Sequence, residues 1–233
     1  LASKPIPAPA KARAGQSIKR NTDGSQVTYR MRITFQKHGR AAMLSHLEIA
    51  RALERVIRRS GLPYAITNGF SPHMRIAFGS ALPVGVGGDE ECLDVLLTER
   101  VDPAIALIVL KASSAPALMV KDCKYIGARD AAASVAFPYS FYEVEFSESL
   151  PCTVEELPIP ETITVIRKKK EKELTVSEFL LPDITLDGCK MGFVLKTGDN
   201  GSLRPDVLMR ELLKDMPQVR VQSITRVKQA ESL

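Results

Sequence analysis

Tryptophan is absent, and aromatic residues make up only 6% of the 233-residue chain. The core must therefore be built mainly from aliphatic side chains. No apolar run approaches the roughly 20 residues that a membrane-spanning helix needs. The longest candidate, Ala104–Leu110, is far shorter and reads as a buried helix, so no membrane role is expected. Residues 1–27 hold no apolar segment of the secretory-signal kind. The four cysteines, Cys92, Cys123, Cys152 and Cys189, lie roughly thirty residues apart. That spacing gives neither the paired thiols of a zinc site nor the clustered run of an iron–sulfur site. Without an export signal a reducing, cytoplasmic setting is expected, with the thiols acting as small buried hydrophobes. Histidine is scarce too. His38, His46 and His73 do not have the spacing of a helical metal-binding pair, so a metal is not favoured.

What is present is an ordinary globular balance: 45% apolar and 25% charged residues, enough to bury a core without staples. The net charge is +5, but five cations against one acid fall within residues 1–29. The remainder is close to neutral, so the basicity belongs mostly to a tail. Residues 1–27, rich in Pro, Ala, Lys and Ser, read as a disordered leader or linker.

From residue 29 the pattern changes. Tyr29–Gln36 alternates like a half-buried strand. Lys37–Arg40 reads as a turn and Ala41–Leu44 as a short extended return. Ser45-His-Leu-Glu48 is a capping box. It predicts a helix to about Ser60, closed by Gly61 with Pro63 beyond. At helical spacing Ile49, Ala50, Leu53, Val56 and Ile57 share one side, and Arg51, Arg55, Arg58 and Arg59 the other. Strands follow at 64–67, 74–80, 91–98 and 118–126, with a helix opened by Asp102-Pro103. The second half predicts strands at 139–147, 162–168, 172–179, 191–197 and 219–227. It also predicts a brief helix at 153–157, a turn at Asp199–Gly201 and a helix from Pro205 to Lys214. The order strand–helix–strand–strand–helix–strand occurs once clearly and once approximately. The expected fold is α+β: two tandem ferredoxin-like (split βαβ) halves with antiparallel sheets, over 28–130 and 137–230.

Candidate chemistry concentrates in the first half. His46 occupies the first helical position, where free amides favour an anion. It reads either as a neutral histidine beside a phosphate or carboxylate, or as a ring hydrogen-bonded to local backbone. In the loop Gly69-Phe-Ser-Pro-His-Met-Arg75, Gly69 permits a left-handed turn and Pro72 restricts Ser71. With His73 in the same loop, Phe70 could stack a base there and Arg75 hold a phosphate; alternatively, Phe70 plugs the core. Gly85, Gly87 and Gly88 lack the Lys-Ser/Thr ending of a phosphate loop, and Glu90 stands where a dinucleotide fingerprint has its third glycine. They read as a flexible hairpin, and Arg167–Lys172 as a solvated hairpin tip.

Several segments together are more specific. Met31-Arg-Ile-Thr-Phe-Gln-Lys37, Leu44-Ser-His-Leu-Glu48, Arg51-Ala-Leu-Glu-Arg55, Gly61-Leu-Pro63, Gly69-Phe-Ser-Pro-His73, Ala81-Leu-Pro-Val-Gly85 and Leu93-Asp-Val95 resemble the radical-SAM-associated bacterial family of unknown function. Thr175–Leu181 and Arg204-Pro-Asp206 are similar too. The chain departs from that family's usual Asn at Ser71 and usual Asp at Glu48. The resemblance implies a radical-SAM partner protein, with the iron–sulfur cluster and S-adenosylmethionine expected in that partner and no cofactor in this chain. It implies no catalytic residue. The chain is accordingly read as an accessory module more than an enzyme, binding and presenting a substrate, with RNA the candidate. The binding residues would be His46, Arg51, Arg55, Arg58, Arg59, Gly69, Phe70, Pro72, His73 and Arg75. The alternatives are a stand-alone RNA-processing enzyme using histidine acid–base chemistry and a purely structural interaction partner.

Overall fold

Alternation along Tyr29–Lys37 makes the first strand, β1, in which Met31, Ile33 and Phe35 are buried. The computed structural model describes residues 27–127, 129–167, 170–198 and 201–233. After β1 the chain makes a 3-10 turn, Gly39–Met43, where the sequence predicts extended backbone from Ala41. Helix α1 spans His46–Ser60. Its start is set by reciprocal bonds between Ser45 and Glu48, and its stop by Gly61 at φ 73°, a left-handed position suited to glycine. Ile49, Leu53, Val56 and Ile57 form its buried stripe.

The first half continues with β2 (Ile76–Phe78), β3 (Val86–Leu97), α2 (Pro103–Ser113) and β4 (Val120–Tyr125). Tyr64–Thr67 makes only isolated bridges, Tyr64 to Leu97 and Ile66 to Met74. β1 lies between β3 and β4, and β2 adds to β3, all antiparallel. Helices α1 and α2 close one core with the inward residues of β1 and β3, including Leu53, Ile57, Leu93, Val95 and Leu110.

The second half holds β5 (Tyr139–Phe146), β6 (Thr162–Arg167), β7 (Lys170–Thr175), β8 (Thr185–Asp187), β9 (Lys190–Lys196), α3 (Pro205–Leu212) and β10 (Val221–Ala230). Residues 153–157 form turns, not a helix. β8 has no counterpart in the sequence-based expectation. β5 lies between β10 and β9, and β8 adds to β9, all antiparallel. Each half thus repeats one strand order: fourth, first, third, second. The β6–β7 hairpin pairs only with itself, yet Ile163 and Leu174 join α3's Leu208 and Leu212 in the second core. It stands in the chain where the first half has α1.

The halves share one eight-stranded sheet in the order β4-β1-β3-β10-β5-β9-β8, with β2 as the eighth strand beside β3. The join is the parallel pairing of Ile224–Arg226 on β10 with Val86–Gly88 on β3. Gly87 and Gly88 are buried strand residues there, not a flexible hairpin. A Cβ on Gly87 would lie 3.3 Å from Lys37 O and Thr225 Oγ1, and one on Gly88 2.6 Å from Glu91 Oε1. A side chain at Gly88 would overlap Glu91, and one at Gly87 would need its neighbours to shift slightly. Thirteen residues of connection cross the sheet's other face, where Arg32 donates to Asp94 and to Ala131 O while Ala133 N–H donates to Asp94. No helix among the described residues is long and apolar enough to cross a membrane.

At the join, Arg226 is 2% exposed and donates through Nε and Nη2 to Glu91, and through Nη2 to Ser80 O. Removing one partner leaves the other charge buried and unpaired, at a cost of about 3–5 kcal/mol. Glu91→Leu should therefore destabilise strongly, whereas Glu91→Leu with Arg226→Met should recover most of the loss in denaturant unfolding. Additive losses would show that the pair is not coupled.

Candidate functional site

The residues singled out by sequence fall near the two ends of α1, with Arg51 and Arg55 between them. At the N-terminal end, His46 packs edge-on against Phe78, centroids 5.4 Å apart. Its ring therefore has an aromatic neighbour, which neither reading from the sequence includes. The capping box occupies the nearby Ser45 and Glu48 amides, with Ser45 N–H donating to Glu48 Oε2 at 2.8 Å. The hydrogen bonds from Ser45 hold the Glu48 carboxyl below its usual range. His46 also borders a cavity of about 20 Å³, with Lys37, Glu91 and Cys92 in its wall. That is room for about one water.

The other end carries the loop. Thr67 and His73 tie its base, with Thr67 N–H donating to His73 O and His73 N–H to Thr67 Oγ1. Gly69 sits at φ 124°, a conformation glycine reaches without a Cβ penalty. Phe70, beside it, is fully exposed, at 110% of its reference area. It does not plug the core. Ser71, Pro72, His73 and Arg75 are exposed around it, and Ser71 Oγ lies 3.4 Å from His73 Nε2. On α1, Arg51, Arg55, Arg58 and Arg59 are all exposed. Arg58 and Arg59 lie in the last turn, three residues or fewer from Gly61 and the segment leading to the loop. The fold thus brings the loop to the end of α1 that carries Arg58 and Arg59. At about 1.5 Å rise per residue, His46 is roughly 20 Å away along the helix.

Sequence reasoning did not find the buried polar seam. Glu91 occupies the core-facing side of β3, opposite Phe35 in register, where Leu93 and Val95 continue inward. Burial works against the Arg226 charge, but the attraction and hydrogen bonds of Glu91, with Tyr142, outweigh it and raise its pKa. Lys37, 3% exposed, is pushed below the usual lysine range by burial, partly offset by Glu91. Beyond Arg226 a cleft of about 290 Å³ opens between the Ser80–Pro83 segment and β5, β9 and α3. The run Arg167–Lys172 and the Asp199–Gly201 turn fall partly outside the described residues.

Cys92 and Cys123 are buried, and burial pushes both thiols up to about 11. Cys152 and Cys189 are half-buried. No group of three or more His, Cys, Asp or Glu among the described residues could hold a metal ion.

Residues 30–205 match the family model described as an uncharacterized protein conserved in bacteria, DUF2344. The chain belongs to this family. Comparison with curated proteins gives no match. In this DUF2344 member the matched span runs from β1 to the first residue of α3. It includes the loop, Glu91, Lys196 and Arg204, and Arg226 lies beyond it.

Two outcomes follow from these environments. Near neutral pH, iodoacetamide should label Cys152 and Cys189 in the native protein, and Cys92 and Cys123 only after denaturation. Native labelling of Cys92 would mean that the seam opens. The Glu48 contribution to α1 is complete above the ordinary value of 4.5 and is lost as pH falls through its lower folded value. Protection of the first-turn amides of α1, relative to the unstructured exchange rate at the same pH, should fall there, and Glu48→Gln should abolish that pH dependence.

Proposed function

We propose that this DUF2344 chain is an accessory protein of a radical-SAM enzyme that binds and presents a substrate, with RNA the substrate class. The observation that carries the binding part is the fully exposed Phe70 at the tip of a loop bearing His73 and Arg75. An aromatic ring in water costs hydration free energy unless something covers it, and every base offers a π-face to stack on it. Arg58 and Arg59 at the same end of α1 supply charge for phosphates. The partner is supported by the resemblance of the first-half segments to the radical-SAM-associated family. The iron–sulfur cluster and S-adenosylmethionine belong to that partner in this reading, and the setting is cytoplasmic.

The accompanying reading of the fold is two ferredoxin-like halves fused through one sheet. The repeated strand order supports it, with the β6–β7 hairpin replacing the second half's first helix. For a stand-alone enzyme using His46 or His73 in acid–base chemistry, α1 separates the two rings, so only one of them could serve a given site.

The test is fluorescence anisotropy of the full chain with a labelled single-stranded RNA pool, beside cross-linking and recovery from cells. Phe70→Ala should weaken RNA binding about tenfold or more, since stacking is worth roughly 1–3 kcal/mol per base. Neutralising Arg58, Arg59 and Arg75 to Gln should flatten the salt dependence by about 0.7 in slope per lost phosphate contact. Binding unchanged by both sets would overturn the RNA reading. Recovery of no radical-SAM protein would overturn the partnership.

A further inference from the structure

The cleft beyond Arg226 lies away from the Phe70 loop, between the two halves. Its wall combines the Ser80–Pro83 segment of the first half with residues of β5, β9 and the α3 N-terminus from the second. Three cations reach it: Lys196, Arg204 and Arg226. No Asp or Glu is among its described lining residues. Two of the cations are already matched. Arg226 is bonded to Glu91, and Arg204 donates through Nε and Nη2 to Asp206 at 3.0 and 2.6 Å. These two bonds hold the Arg204 guanidinium in one orientation, with Nη1 outside the pair. Lys196 has no carboxylate partner among the described residues. The described residues thus leave about one positive charge, which attracts a phosphate group. The cleft's small volume favours one phosphate over a di- or triphosphate chain.

The remaining chemistry narrows the class. Ser80, Ser140, Tyr142, Thr197 and Ser202 bring hydroxyls to the same wall, and Ser140 and Tyr142 are only 7% and 6% exposed. Leu82, Leu195 and Leu203 supply an apolar part. The volume, about 290 Å³, is at the small end of ligand sites, which run from roughly 300 Å³ upward. Hydroxyls that donate and accept, an apolar wall, the unmatched Lys196 and the free Nη1 edge of Arg204 suit one polyol unit carrying a single phosphate group.

We infer that the cleft between the halves binds a sugar monophosphate unit of nucleotide size, with Lys196 and Arg204 on the phosphate and Ser140 and Thr197 on sugar hydroxyls. A free nucleoside monophosphate and one nucleotide of a strand share this chemistry. The site does not depend on the Phe70 loop.

The test is isothermal titration of the full chain with AMP, UMP, ribose 5-phosphate, ATP and the oligonucleotide rU6. Lys196→Gln, Arg204→Gln and Phe70→Ala are compared, with thermal melts as the folding control. Lys196 and Arg204 are exposed, so neither substitution removes core packing. The expected result is saturable binding of a monophosphate, weakened tenfold or more by Lys196→Gln and Arg204→Gln and unchanged by Phe70→Ala. ATP should bind no more tightly than AMP. Binding of rU6 alone, lost in the Lys196 and Arg204 variants, assigns the unit to a strand. Saturable binding of AMP or ribose 5-phosphate assigns it to a free ligand. No saturable heat with any probe at millimolar concentration overturns the assignment. So does binding indifferent to both cleft variants, or affinity rising from AMP to ATP. Loss of rU6 binding in Phe70→Ala with monophosphate binding intact keeps the loop and the cleft apart.

Discussion

A guanidinium held out of water at the middle of a sheet constrains everything around it. Without Glu91, Arg226 would be a buried and unpaired charge, and without Arg226 so would Glu91. The pair stands where β10 crosses from its own half to lie beside β3. It therefore fixes the relative placement of the two cores, the wall of the small cavity under His46 and the floor of the cleft. Apolar packing alone would allow the two half-sheets to slide, since apolar contact is not directional. Two charged hydrogen bonds in a fork are directional and allow one register.

Elsewhere polar groups also do what sheet packing leaves undone. The face of β1 turned away from α1 and α2 bears Arg30, Arg32 and Thr34, which would suit water in an open sheet. Instead the connection between the halves lies across it. Arg30 donates to Gly127 O and Asp130 O, and Arg32 to Ala131 O, while Arg32 also sits 5.3 Å from the centre of the Phe137 ring. Backbone carbonyls in that connection thereby gain donors they could not find in a loop alone. The connection is a structural layer, and it brings β5 out at the correct edge.

The sequence was legible where one residue pattern dictates one local structure. The capping box at Ser45 and Glu48 and the stop at Gly61 give α1 to the residue, and the alternation of Tyr29–Gln36 gives β1 except for its last residue, Lys37, which reads as a turn. The strand order could be inferred only as a rhythm, because which strand pairs with which depends on contacts far apart in the chain. Gly87 and Gly88 misled for a physical reason: glycine is a poor strand former, and only the closeness of β10 and Lys37 explains its use in β3. The exposure of Phe70 was not decidable from a turn motif that allows either orientation. Of the buried seam, one sign was readable. Glu91 shares the inward parity of Leu93, Val95 and Leu97, a carboxylate in an apolar series. Its partner lies 135 residues away, beyond any local pattern.

That separation bears on how the chain reaches its native state. The pairing of β1, β3 and β4 can form within residues 29–125, but half of one β3 edge must wait for β10. Loop closure over such a distance is slow, and an open strand edge in the interval invites the wrong partner. The waiting stretch is Val86-Gly87-Gly88. Two glycines give little side-chain surface for a stray strand to grip, and the buried Lys37 beside them resists apolar contact. The residues that let β10 approach closely at the end are thus also those that leave the edge least adhesive before it arrives.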